Sequence, residues 1–454
     1  MTNIQRVVVI DIGKTNAKLA LVDMKSLAEI AVRKIPNHIL QDGPYPHFDI
    51  EALWQFILLG LREFQTQHGV DAISVTTHGA CAALIDDGGK LALPVLDYEY
   101  DGYGDVTAEY DAQRPDFSET GSPHLPLGLN LAKQFFWLQK QYPQDFACVK
   151  NILMYPQYWA YRLTGIASNE VTSLGCHTDL WAHGRKDYSS LVDKMGWRKL
   201  MAPLWPATKP LGTITPEIAK ATGLKLETSV ACGIHDSNAS LVPHLLARAK
   251  PFSVVSTGTW VISMAIGSDP PELDESRDTL MNINAFGEAV PSARFMGGRE
   301  FQLVMEDSHP LPTPDDVISV LSKGIFLLPS VVQGSGPFAT KEARWIGVPS
   351  PQERQISASY YLGLMTATCL DLIGAEGDIA VEGPFSSNVN FLDMLSAATG
   401  RAVIETQNAT TGTTIGASLL LAKDRAFSAN ELKHRVADEA ELKAYAKRWQ
   451  KFLH

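Results

Sequence analysis

Four apolar residues, Val7-Val8-Val9-Ile10, run into Asp11, and beyond the polar stretch Gly13-Lys14-Thr15-Asn16 the chain is largely apolar again up to Val22. β-Branched residues suit a pleated, half-buried surface and glycine suits a tight turn, so residues 7–23 are predicted to form a β-hairpin. The plan recurs at 252–267, where apolar runs flank the small polar turn Ser256-Thr257-Gly258-Thr259. Gly258 falls where Gly13 falls and Ser256 where Asp11 stands, so only the first copy keeps a carboxylate. Between the two, Leu53, Phe56, Ile57, Gly60, Leu61 and Phe64 recur at helical spacing and predict a helix within 48–69. Residues 72–79 then read as a strand running into His78-Gly79, 82–86 as another strand, and 131–142 and 152–163 as helices, the second ended by Gly165 at its C′ position. Strand, helix, strand in this order indicates an α/β lobe.

Further on, strand-like residues at 231–234 give way at His235-Asp236-Ser237-Asn238 to a helix carrying Leu241, Leu245 and Leu246, and the stretch from Pro243 to Pro251 is expected to end the first lobe. In the second lobe Gly297-Gly298 forms a turn into a helix, Leu327 to Pro337 a strand and a breaker-rich loop, and Ile379 to Asn388 a strand entering a glycine turn. A helix is predicted over 390–399. Thr410-Thr411-Gly412 then opens an apolar helix of small residues suited to close backbone approach.

Composition narrows the class. The 454 residues give room for two or three domains, and 45% hydrophobic with 20% charged is ordinary for a soluble globular chain. A net charge of −11 with no basic tail or stripe argues against a nucleic-acid partner. Cys81, Cys148, Cys176, Cys232 and Cys369 are scattered, with no C-x-x-C, and are expected to be reduced thiols of a cytoplasmic protein. Met1 to Arg6 lacks a basic region followed by a long apolar core, and Asp11 interrupts the next apolar run, so neither a signal peptide nor a membrane span is expected.

Candidate chemistry collects at the strand ends. Asp11 closes a strand expected to be buried, where a carboxylate is costly unless a cation meets it. A hydrated Mg²⁺ carried by a nucleotide would do so, with the N–H groups of Gly13 to Asn16 and the Lys14 ammonium facing phosphate oxygens. An ordinary hairpin with a polar tip is the alternative. Gly13-Lys14-Thr15 is not a Walker A motif, because the glycine required five residues before Gly13 is Val8. His78 lies at a strand end, where ligands of α/β sheets gather, although a lone histidine there is more often a satisfied structural group unless other polar groups converge on it. Asp97-Tyr98-Glu99-Tyr100-Asp101 is either a solvated acidic loop or a wall of acceptors and aromatic faces for a polyhydroxy ligand. Asp236 either caps a helix or takes a proton from a substrate hydroxyl, and the second hairpin sixteen residues on favours the base. The two hairpins together suggest two related lobes facing one nucleotide.

Taken together, these stretches resemble the FGGY carbohydrate kinases of the actin and hexokinase ATPase superfamily. Asp11 to Asn16 looks like the first phosphate motif and Thr77-His78-Gly79 the sugar loop. Ala132-Lys133 through Trp137, Arg162-Leu163-Thr164-Gly165 and Thr178-Asp179-Leu180-Trp181 look like the middle segment. His235-Asp236 resembles the catalytic carboxylate motif in its rhamnulokinase-like form, Ser256 to Trp260 the second phosphate motif, Pro329 to Pro337 the proline- and glycine-flanked loop, and Gly383 to Asn388 with Gly412 to Ala417 the adenosine motif. The resemblance implies an α/β fold of two RNase H-like lobes with a central ligand cleft, an N-terminal lobe over 1–244 and a C-terminal lobe over 245–454. It implies ATP and Mg²⁺ as cofactors. Asp236 would be general base, Asp11 a water-mediated Mg²⁺ partner, and Thr77, His78, Asp97, Tyr98, Asp101 and His235 sugar contacts. Gly13, Lys14, Thr15, Asn16, Gly258 and Thr259 would contact phosphates, and Gly297, Gly383, Ser387 and Asn388 would line the nucleotide.

The chain departs from the family pattern twice. Pro384 follows Gly383 where a second glycine is usual, and Gly102 follows Asp101 where the family often has arginine. The implied acceptor is a ketose, L-rhamnulose or L-fuculose being favoured by the His-Asp pair. A pentulose or polyol kinase is the alternative of the same chemistry, and a sugar-sensing ATPase the alternative of another class, against which the retained Asp236 speaks. The implied partners are small molecules, with a homodimer the assembly considered.

Overall fold

A computed structural model describes residues 4–305, 311–406, 412–421, 431–436 and 439–453. The chain forms two compact units, each discontinuous in sequence: the first takes in Met1–Ala247, Met281–Ala289 and Thr411–Phe427, the second Arg248–Leu280, Val290–Thr410 and Ser428–His454.

In the first unit the expected hairpin is present as β1 (Arg6–Ile12) and β2 (Asn16–Asp23), antiparallel with Asp11 opposite Lys18, and β3 (Ala28–Pro36) extends it. Helix α1 (Ile50–Gln67) begins at Asp49, whose carboxylate accepts from the Ala52 amide, and buries the predicted stripe Leu53, Phe56, Ile57, Leu61 and Phe64. It returns the chain to β4 (Ala72–Thr77), parallel to β1. With neighbours on both edges and every residue from Val7 to Ile10 buried, β1 is a central strand, which is why it reads as an unbroken apolar run.

Strand β5 (Ala82–Ile85) leaves the main sheet. Past α2 (Leu131–Gln141) it pairs with β6 (Asn151–Met154), which corrects the start of the helix expected over 152–163. A short apolar run cannot distinguish strand from helix by period, and α3 (Tyr155–Thr164) begins where Pro156 fits a first turn; Gly165 ends it at φ 73° as expected. The main sheet is completed by β7 (Pro210–Thr213), β8 (Ser229–Ala231) and β9 (Ile234–His235), the last two parallel to β4. Helix α4 (Asp236–Ala247) contains Pro243, which was expected to help end the lobe.

The second unit repeats the plan. Strands β10 (Phe252–Thr257) and β11 (Val261–Ile266) form the second hairpin, β12 (Ala289–Phe295) pairs antiparallel with β11, and α5 (Gly297–Val304) follows it. Strand β13 (Phe326–Leu328) pairs in a small separate ladder, and α6 (Pro351–Leu372) is the long buried helix of this core. Strand β14 (Asp378–Glu382) is parallel to β10 as β4 is to β1; α7 (Val389–Thr399) then leads to β15 (Val403–Thr406), parallel to β14. Finally α8 (Gly412–Leu419) packs on α4, β1 and β4 of the first unit; Thr410 and Thr411, expected to open it, lie outside the described residues.

Candidate active site

Strands β1, β4 and β9 are mutually parallel about β4 and end in register: Ile12 pairs with Thr77, and Thr77 with His235. The residues that follow, Gly13, His78 and Asp236, therefore emerge together at the carboxyl edge of one sheet, where open α/β sheets bind ligands. The turn is held at its base, with the Gly13 amide donating to the Asn16 carbonyl at 2.9 Å and the Asn37 side chain donating to the Gly13 carbonyl at 2.8 Å. Thr15 and Asn16 are exposed at its tip.

Thr77 is buried and donates its hydroxyl to the His78 carbonyl at 2.9 Å. The His78 ring lies 5.2–5.4 Å from the rings of Tyr155, Phe48 and Tyr98. Burial lowers its pKa, keeping it neutral; Nδ1 lies 2.8 Å from the Gly79 carbonyl, so it carries the proton, and Nε2 is buried with no hydrogen-bond partner among the described residues.

Asp236 starts α4. Its Oδ1 accepts from the Ser237 amide at 2.6 Å and lies 3.2 Å from His235 Nε2, and among the described residues Oδ2 has no hydrogen-bond partner. His235 is buried, with Nδ1 3.3 Å from the Asn238 amide and Nε2 3.8 Å from Cys176 Sγ. Burial pushes His235 down, but the charges of Cys176 and Asp236 outweigh it and hold the ring at about 9. Burial likewise raises Cys176, yet His177 and His235 bring the thiol down to about 5.

Asp11 is raised to about 6, chiefly by burial, with Lys18 opposing and the Asp236 charge adding. Lys18 Nζ stands 4.0 Å from Asp11, 3.1 Å from Glu29 and 2.6 Å from the Thr414 hydroxyl of α8. A desolvated carboxylate under the charges of Asp236 and Glu29, with Lys18 and Lys34 opposing them, suits a hydrated Mg²⁺, which keeps most of its waters and needs only one or two protein carboxylates beside phosphate. Among the described residues no three His, Cys, Asp or Glu side chains form a metal cluster. Lys18 was missed by sequence reasoning; its signal was the hairpin register, which sets it opposite Asp11.

Lys14, expected to point at phosphate, instead pairs with Asp97 and, at 3.2 Å, with Glu99; its ammonium lies 4.8 Å from the Tyr98 ring centre and 5.2 Å from that of Phe48. Asp97 is buried, whereas Asp101 is exposed on the turn beyond Tyr100.

In the second unit the predicted glycines converge on the hairpin turn. A Cβ on Gly298 would lie 2.0 Å from the Gly258 carbonyl oxygen, one on Gly297 2.5 Å from Val261 Cγ2, and one on Gly383, at φ 85°, 1.9 Å from the Thr257 carbonyl oxygen. Only hydrogen fits at these positions, so the chain packs closely around the end of β10. The Thr257 hydroxyl fastens this turn, donating to the Glu382 carbonyl at 2.6 Å and accepting from the Phe385 amide at 3.1 Å. Thr257 and Gly298, read from sequence only as turn residues, were given no site role there. Thr259 and Ser387 are exposed, whereas Asn388 is occupied structurally, accepting from the Phe391 amide at 3.0 Å as the cap of α7 and donating to Ser359 at 3.1 Å.

Residues 6–243 match the N-terminal domain of the FGGY family of carbohydrate kinases and residues 249–430 the C-terminal domain of carbohydrate kinase FGGY. The chain belongs to the FGGY family of carbohydrate kinases, with the two-domain α/β fold of that family. A solved structure of a carbohydrate kinase from Novosphingobium aromaticivorans is 36% identical and matches with a TM-score of 0.93 over 98% of this chain and 100% of that one. A rhamnulokinase of Halalkalibacterium halodurans is 23% identical over 55% of this chain and 54% of its own length, and an L-fuculokinase of Salmonella typhi 25% identical over 57% and 56%. The chain thus spans little more than half the length of these relatives. Among the described residues no helix is long and apolar enough to cross a membrane.

Proposed function

We propose that the protein transfers the terminal phosphoryl group of ATP to a hydroxyl of a small sugar, a ketose such as L-rhamnulose or L-fuculose. The observation that carries this reading is the in-register ending of β1, β4 and β9, which delivers Gly13, His78 and Asp236 to one edge with Asp236 Oδ2 unoccupied. Phosphoryl transfer asks for positioning and charge neutralisation more than covalent chemistry, and these side chains supply both. Asp236 Oδ2 takes the proton of the attacking hydroxyl, while its Oδ1 stays oriented by the Ser237 amide. The neutral His78 offers Nε2 as an acceptor for a sugar hydroxyl, and the half-buried Tyr98 ring beside it gives the sugar's C–H faces apolar surface. The amides of Gly13 to Asn16 and the turn around Gly258 and Thr259 receive phosphate oxygens, and Gly297 and Gly383 border the nucleotide. Mg²⁺, held through water by Asp11, would neutralise phosphate charge. The acceptor contacts and the base thus belong to the N-terminal part, residues 1–244, and the nucleotide contacts are divided between residues 13–16 and the C-terminal part, residues 245–454. Names of relatives at 23–25% identity support the reaction class and leave the sugar to experiment.

The test is a coupled ADP-release assay over ketoses, pentuloses, polyols and aldoses. ADP formation that depends on one of these sugars is the expected result. Nucleotide binding with no sugar-dependent ADP formation would overturn the kinase reading in favour of a sensor.

A further inference from the structure

Lys14 lies in the turn that the family resemblance assigns to phosphate, yet its side chain runs to the loop at 97–99. It pairs there with Asp97 and Glu99, over the Tyr98 and Phe48 rings that also flank His78. The second cation of the hairpin, Lys18, is matched by Glu29 and Asp11, with Lys34 acting on Asp11 from β3. Around this edge the carboxylates Asp11, Glu29, Asp97, Glu99 and Asp236 therefore outnumber the ammonium groups of Lys14, Lys18 and Lys34. A carboxylate-bearing ligand entering here meets a surplus of negative charge, with Lys14 and Lys18 already paired, whereas a neutral polyol meets acceptors, donors and ring faces.

We propose that Lys14 serves the acceptor rather than the nucleotide: with Asp97 it forms a donor and acceptor pair that grips neighbouring hydroxyls of a neutral sugar, and the surplus of carboxylates excludes sugar acids. One hydroxyl donates to an Asp97 oxygen, the next accepts from the Lys14 ammonium, and the rings beneath cover the carbon faces between them. The inference rests on the kinase reading above and adds the charge class of its acceptor.

The experiment compares wild type, Lys14→Met and Glu99→Gln with the neutral sugar turned over fastest and with the aldonic acid of the same carbon number. Lys14→Met is expected to raise KM for the neutral sugar about tenfold or more while KM for ATP stays within about twofold. Glu99 is exposed, so its variant should fold; with one carboxylate gone, discrimination against the acid is expected to fall about threefold or more. A rise in KM for ATP with sugar KM unchanged in Lys14→Met, or wild-type turnover of the acid as fast as of the neutral sugar, overturns the inference and leaves the kinase reading standing. Wild type that forms no ADP with any sugar overturns the reading itself, and this inference with it.

Discussion

Gly416 of α8 faces the carbonyl of Ala239 in α4 so closely that a Cβ there would lie 1.7 Å from the oxygen and 3.2 Å from Pro243 Cδ. Pro243 has no N–H to return to the carbonyl four residues before it, so that turn of α4 lacks the bond an ordinary helix makes there. Contact with a bare glycine lets the two backbones pack where side chains could not. Gly416→Ala is expected to cost about 1–3 kcal/mol through overpacking, seen as a lower denaturation midpoint. An unchanged midpoint would mean that α8 shifts away at no cost.

Asp236 carries the proposed proton transfer, and its half-buried carboxylate is fixed by the Ser237 amide. Asp236→Asn keeps shape and hydrogen bonding but cannot accept a proton. Turnover is expected to fall by about 10²-fold or more, with MgADP affinity kept. Near-normal turnover would remove Asp236 from the chemistry.

Asp11 has a pKa raised from 3.8 to about 6. Within that window the folded chain binds a proton that the unfolded chain has released, so this group's contribution to stability falls as pH rises, and its full cost is present above about 6. Asp11→Asn is therefore expected to raise the thermal midpoint more at pH about 8 than at pH about 4, while weakening the Mg²⁺ dependence of nucleotide binding. Equal gains at both pH values would place the carboxylate outside this balance.

His235 and Cys176 hold each other in charged forms. For His235, raised to about 9, the favourable contribution is complete below its ordinary 6.5 and lost as pH climbs through 9. For Cys176, lowered to about 5, it is complete above the ordinary 9.0 and lost as pH falls through 5. Cys176→Ser removes the thiolate and is expected to lower the His235 titration midpoint, read by NMR of the ring protons. A midpoint that stays put would assign the shift to Asp236 alone.

Elements with a strong local pattern were legible in the chain: both hairpins, α1 with its stripe, and the glycine turns at 258 and 383, whereas the turn expected at Gly297-Gly298 is the first turn of α5. What escaped depended on contacts distant in sequence. The Lys14 side chain is long enough to leave its own turn, and nothing within 11–16 tells that Asp97 waits beside it. Residues 152–154 were too short a run to fix a period, and Pro243 signalled a break that tertiary packing tolerates. Asn388 came from the family resemblance, and its cap of α7 was not read from the residues.

The return of α8 to the first unit bears on how the protein can be taken apart. A fragment stopped at Ala247 would leave the faces of α4, β1 and β4 that α8 covers open to water, including the polar Ala239 carbonyl. Genetic dissection therefore needs a splice that carries the 412–421 segment along, by fusion or permutation, because the part up to Ala247 is finished by a segment far along the sequence.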